Sequence, residues 1–246
     1  MINKGKLQSV ISKYYLNGLI ESVKWETENN TLEVNFQSPN KDMIGRVKSR
    51  NFPLENSEIA VYDTTKLNKL LGITNGDIFL SLERQKAIFT KLIIADSTYT
   101  LNFSLTDLLL IQSLGEVTDP ENYEIKWEMD RDGIDAVIKA HNALASDNVI
   151  IKQDKDLDND DILTMVFGDT SAHTNRIVYQ LAGADFSAMP FGTELPFNSD
   201  MVKTIMSNNK DADSATMKVN LQGLMKLEFT GEDWESVYYL IRKADI

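Results

Sequence analysis

The chain contains no cysteine. That excludes disulfides, cysteine-ligated zinc and thiol catalysis, and it suits a reducing compartment. Histidine is scarce too: only His141 and His173 occur, and neither has a second histidine at metal-ligand spacing. Gly-x-Ser-x-Gly and phosphate-loop motifs are absent. Without a nucleophile–base constellation, the sequence reads as non-enzymatic, with no cofactor and no metal. No apolar run approaches the roughly 18 residues of a membrane helix. The first residues, MINKGKLQSVISKYYLNG, are too polar for a signal-peptide core. A soluble, cytoplasmic protein without membrane contact is expected.

Charge is lopsided. Residues 1–118 hold 13 Lys/Arg against 13 Asp/Glu, whereas residues 119–246 hold 12 against 24 and so carry the whole net charge of −12. A polyanion is repelled at long range by that total. Screening over about 8 Å at physiological salt still lets a local basic cluster act. The densest acidic run, Asp154 to Asp161, resembles the start of a calcium loop. Counted from Asp154, however, Asn159 and Met165 stand where the EF-hand needs Gly and Glu, and the frame from Asp156 puts Asp161 and Phe167 there. The run reads as an acidic hairpin turn.

Alternation with a period of two marks half-buried antiparallel strands. Leu32, Val34 and Phe36 share one face, as do Ile59 and Val61, Ile78, Leu80 and Leu82, Met217, Val219 and Leu221, and Met225, Leu227 and Phe229. Turn residues separate these runs at 28–30, 74–77, 220–223 and 230–233. Four short amphipathic helices interrupt them, over 6–16, 64–71, 132–144 and 199–206, the last capped by Asn198 or Ser199. The order repeats: Leu7 returns at Ile134 and Leu67 at Val202. Strands flanking only short helices favour α+β. The polar, Gly- and Pro-containing stretch near 112–124 divides the chain into a domain over 1–115, a connector over 116–124 and a domain over 125–246.

The helices turn lysines away from their apolar stripes: Lys6 and Lys13, Lys66 and Lys69, Lys139, and Lys203 with Lys210 just beyond. Asp132 and Asp135 share the outer side of the third helix, and Asp135 with Lys139 is an i, i+4 pair. His141 falls on that helix's apolar face. Lysines without a recognition motif suit backbone contact, which carries no sequence information. Exposed helix lysines are also commonly only solvated.

Two domains of two short helices and many antiparallel strands resemble the sliding-clamp fold of DNA polymerase processivity factors, of tailed phages and of the trimeric PCNA-like kind. SEIAVYDTTKLNKLLGI resembles the family's strand leading into its second helix. FNSDMVKTIMSN and TMKVNLQGLMKLEFTGEDWESVYYLI resemble its last helix and closing strands. The resemblance implies a two-domain DNA-clamp fold and a homotrimer ring around double-stranded DNA, bound non-specifically through its backbone. It also implies a DNA polymerase and a clamp loader as partners. It would turn Lys6, Lys13, Lys66, Lys69, Lys139, Lys203 and Lys210 toward DNA. A pocket for partner tails would involve Met43 and Ile44, Leu114 and Val117 of the connector, and Tyr238, Leu240 and Ile241 of the end strand. Rival readings are a virion structural or assembly protein and an acidic protein-binding module.

Overall fold

In the computed structural model, residues 1–112, 114, 118–168, 174–187, 189–190 and 192–243 are described. They form two compact units, one of residues 1–116 with 232–236, the other of residues 117–231 with 237–246. In the first, β1 (Ile2–Asn3) enters α1 (Lys4–Tyr15), then β2 (Val23–Glu28), β3 (Thr31–Gln37) and β4 (Met43–Ser49) follow. The plan restarts with β5 (Ser57–Val61), α2 (Thr64–Ile73), β6 (Asp77–Gln85), β7 (Ile88–Ala95) and β8 (Thr100–Ser104). The second unit runs β9 (Ile125–Met129), α3 (Arg131–Leu144), β10 (Asn148–Lys155), β11 (Asp161–Gly168) and β12 (Arg176–Gln180). A two-residue strand, β13 (Asp185–Phe186), precedes β14 (Glu194–Asn198), α4 (Ser199–Asn208), β15 (Ser214–Val219), β16 (Leu224–Thr230) and β17 (Trp234–Ile241).

The fold is α+β, as the periodicities require, and its repeat is finer than a doubling. One motif, strand–helix–three strands, occurs four times. Each motif lends its first strand to the sheet of its neighbour. Strand β1 pairs with β6, which heads the order β6-β7-β8, and β5 pairs with β2, which heads β2-β3-β4. The second unit repeats the exchange: β9 pairs with β15 and β14 with β10. All pairings are antiparallel. The exchange locks the two motifs of a unit into one core.

The helices begin where the sequence permits a cap. Asn3, Asp63, Asp130 and Asn198 each accept a backbone hydrogen bond from the first turn, at the amides of Gly5, Lys66, Gly133 and Met201. Such a cap is worth about 1 kcal/mol. The inward faces are those the alternation marked: Leu32, Val34, Phe36, Ile59, Val61, Ile78, Met217, Val219, Met225, Leu227 and Phe229 are all buried. Asn29 and Asn30, both with positive φ (49° and 58°), make the two-residue turn between β2 and β3. That geometry suits right-twisted hairpins and is tolerated by Asn. Among the described residues, no helix is long and apolar enough to cross a membrane.

Candidate functional site

The two units hold their helix pairs with equivalent keystones. In the first, Tyr14 is fully buried, accepts a hydrogen bond from Trp25 Nε1 at 3.2 Å and bonds Thr64, the first residue of α2. Burial pushes its phenol well above the ordinary range, so it stays protonated. In the second, His141 takes the place of Tyr14: its Nδ1 lies 2.8 Å from Ser199 Oγ at the first residue of α4, and its Nε2 lies 3.1 Å from Asp200. Ser, His and Asp meet here, yet Ser199 is completely buried. A nucleophile must reach substrate, so the trio acts as a tie between helices.

The lysines divide by surroundings. Lys13, expected on the solvent side, is completely buried, with Nζ 3.8 Å above the Trp234 ring and 2.8 Å from Ser9 Oγ. Chain 221 residues downstream covers that side of α1, and a cation over an indole face is attracted by the ring's quadrupole. Lys13 is therefore removed from any nucleic-acid surface. Lys6 is half-exposed and ion-paired with Asp233. Lys66 and Lys69 on α2, Lys139 on α3 and Lys210 after α4 are exposed, and Lys203 on α4 is half-buried. Among the described residues these five ammonium groups form no ion pair. They are free to meet an anionic ligand.

A cavity of about 430 Å³ opens in the first unit. Its walls are the stretch after α1 (Leu19, Ile20), the end of β3 with its turn (Phe36, Pro39), and the segment after β8 (Leu110, Ile111, Gln112, Leu114). Leu109 and Leu110 are 91% and 74% exposed, in the short 3-10 turn Leu108–Leu110 at the cavity's rim. Of the residues expected to bind partners, Leu114 lines this cavity and Ile44 is half-buried nearby in β4. Met43 is buried in the core beneath β4, and Tyr238 and Leu240 are buried in the second unit, so these three present no surface to a partner. Tyr238 packs edge-on to Phe229 at 6.1 Å and its hydroxyl accepts from Asn209. Ile241 is exposed, and Val117 lies outside the described residues, as does His173. Sequence reasoning missed Leu109 and Leu110. Their signal was three consecutive leucines after Asp107, a run that fits no strand alternation.

The acidic run 154–161 is the tip of the β10–β11 hairpin. Asp156 Oδ1 accepts from the amides of Asp158 and Asp160, both at 2.9 Å. Among the described residues, no group of three or more His, Asp or Glu is placed to hold a metal ion.

No family model matches the chain, and no curated protein matches it by sequence. Solved structures do match, and they are sliding clamps. The proliferating cell nuclear antigen (PCNA) of Entamoeba histolytica aligns over 98% of this chain and 96% of its own, at 14% identity and a TM-score of 0.73. PCNA of A. fulgidus, solved with the C-terminal region of FEN-1 bound, aligns over 100% and 98% at 16% identity and 0.76. The PCNA2–PCNA3 complex of Sulfolobus tokodaii aligns over 99% and 98% at 11% identity and 0.74. At such identities the likeness establishes the fold, a sliding-clamp fold along the whole chain.

Proposed function

We propose that this protein is a DNA sliding clamp, a non-enzymatic ring that encircles duplex DNA and tethers a polymerase for processive synthesis. The observation that carries the reading is the fold itself, matched end to end with PCNA. Two further features support it. Strands β8 and β12 each pair on one side only, which leaves one open edge in each unit. An open edge is a template for another strand, and a head-to-tail contact between different surfaces closes into a ring when its rotation fits a cyclic group. The five unpaired lysines on α2, α3 and α4 suit weak, sequence-independent contact with phosphates, which permits sliding. A homotrimer, a clamp loader and a tailed-phage origin belong to this reading through the sequence resemblance. The cavity at Leu110 and Leu114 would receive protein tails, as the A. fulgidus clamp receives a tail of FEN-1. One apolar anchor can carry most of such an interaction.

Light scattering of the eluting protein should give three times the chain mass of 27.8 kDa. A monomer at every concentration would sink the ring and favour the acidic binding module. Replacing Lys66, Lys69 and Lys203 by Glu should leave the trimer intact and flatten the salt dependence of DNA binding. The expected loss is about 0.9 of a log unit per contact. An unchanged slope would clear these lysines of DNA contact. A labelled peptide of the FEN-1 C-terminal region should bind the wild type, and Leu110→Asp should abolish that binding.

A further inference from the structure

The carboxylate of Asp119 sits in a cradle of three donors from three parts of the second unit. Lys226 Nζ on β16 donates at 2.7 Å, the Tyr123 hydroxyl at 3.2 Å, and the Tyr239 hydroxyl on β17 also bonds it. Lys226 is only 6% exposed. Its second partner, Glu228 at 2.8 Å, is shared with Lys218 at 2.6 Å. Two ammonium groups thus converge on one carboxylate of the sheet, and the balancing charge comes from Asp119. A buried cation is costly unless paired, so the strand's lysine creates a demand that the incoming segment fills.

The first unit lacks this arrangement. Lys91 faces Glu83 across β6 and β7, as Lys226 faces Lys218 across β16 and β15. Lys91 pairs with Glu83 at 2.8 Å and stays half-exposed, with no third group over it. Asp119 lies five residues beyond Leu114, which lines the cavity. Five residues span at most about 18 Å, so where Asp119 is held limits where Leu114 can go.

We infer that Lys226 and Asp119 form a latch that pins the connecting segment to β16 and β17 and thereby positions the cavity wall at 110–114 for docking. Lys226 is a positioning residue, since it does not touch the cavity. Burial alone would raise the Asp119 carboxyl. The bonds from Lys226, Tyr239 and Tyr123, with the charge of Lys226, outweigh it and hold the group below the usual carboxylate range. The docking consequence rests on the proposed function; the latch does not.

Hydrogen exchange of the full chain tests the latch at the amides of 118–124. Asp119→Asn and Lys226→Met should each raise exchange there about tenfold, and the double variant no further, because both break one bond. Lys226→Arg should keep protection, and Glu228→Gln should stay within twofold of wild type. Unchanged exchange in Asp119→Asn, or an equal rise in Glu228→Gln, would overturn the latch. The docking arm uses the FEN-1 peptide: Asp119→Asn should weaken it several-fold and Lys226→Arg should not. If the wild type ignores the peptide, or Leu110→Asp binds it normally, the docking reading fails while the exchange arms still decide the latch. If Leu110→Asp blocks the peptide and Asp119→Asn binds it fully, the link between latch and cavity is broken.

Discussion

The two units solve one packing problem with different chemistry. Each must fix a pair of short helices to one another, and each does so with a polar ring on the first helix and a hydroxyl at the start of the second. The first unit uses Tyr14 and Thr64, the second His141 and Ser199. Tyr14 is a larger group, fully enclosed and tied also to Trp25. His141 is slightly exposed and shares its outer nitrogen with Asp200, which is itself largely in solvent. The same backbone plan thus leans on aromatic volume in one half and on a polar relay in the other. The acidic excess of residues 119–246 fits this contrast.

The sharpest way to break the comparison is to truncate both keystones. Tyr14→Ala empties an enclosed site and strands two hydrogen-bond partners, at a cost of about 3–5 kcal/mol by analogy with Phe or Trp truncation. His141→Ala removes less volume and leaves Ser199 and Asp200, of which Asp200 can turn to water. Its cost should be about 1–3 kcal/mol, mainly from unsatisfied buried groups. Denaturant unfolding of the two variants measures both. Equal losses would mean that the histidine's polar ties carry as much as the tyrosine's packing.

Much of this was legible in sequence, and the failures have causes. The alternation of Leu32, Val34 and Phe36 and the Asn29–Asn30 turn are local facts, and the structure repeats them. So is the Asn198 cap, since capping needs only a side-chain oxygen beside the first free amides. The exchange of first strands between motifs was not legible, because pairing between distant strands leaves no local pattern. Lys13 was misread for the same reason. A helical wheel shows which side of α1 is polar, but not that Trp234 will cover that side. In VYYLI, both faces of β17 are apolar, so alternation could not tell buried Tyr238 and Leu240 from exposed Ile241. Met43 was within reach: counted with Gly45 and Val47 by twos, it falls on the inward face.

A second experiment sharpens the first unit's reliance on aromatic volume. Gly45 on β4 lies directly opposite Phe36 on β3, and a Cβ at Gly45 would come within 2.3 Å of the Phe36 ring. The ring therefore occupies the space where a side chain would be, and Phe36 also lines the cavity. Gly45→Ala should cost about 1–3 kcal/mol, the usual penalty of overpacking, and should displace Phe36 and weaken peptide docking. Phe36→Leu in the same background should recover part of the stability, because the smaller side chain relieves the clash. A Gly45→Ala variant as stable as wild type would show that Phe36 can move freely, and aromatic volume would then not be what holds that sheet.

The smallest effect concerns acid, and it should fall on the second unit first. There, hydrogen bonds and lysine charges hold Asp119, Glu128, Asp154, Asp161 and Glu228 below the usual carboxylate range, against burial where burial acts. In the first unit only Glu33 and Asp96 are lowered among the described residues, and Glu26 is raised by burial and by Glu58 and Glu33. A carboxyl whose folded pKa is depressed contributes stability above its unfolded pKa. That contribution fades as pH falls from the ordinary carboxylate range through the lower folded value. Lowering the pH below about 4 should therefore weaken the second unit more than the first. Glu26 has the opposite sign, since acid removes its unfavourable charge and slightly favours the first unit. These groups are screened by solvent, where single pairs are worth about 0–1 kcal/mol, so the difference should be modest. Fluorine NMR of 5-fluorotryptophan protein can resolve it, because Trp127 reports on the second unit and Trp25 and Trp234 on the first. Loss of the native Trp127 signal at a higher pH than the other two is expected. Loss of all three together would mean that the units unfold as one, so that their different chemistry would not translate into different stability.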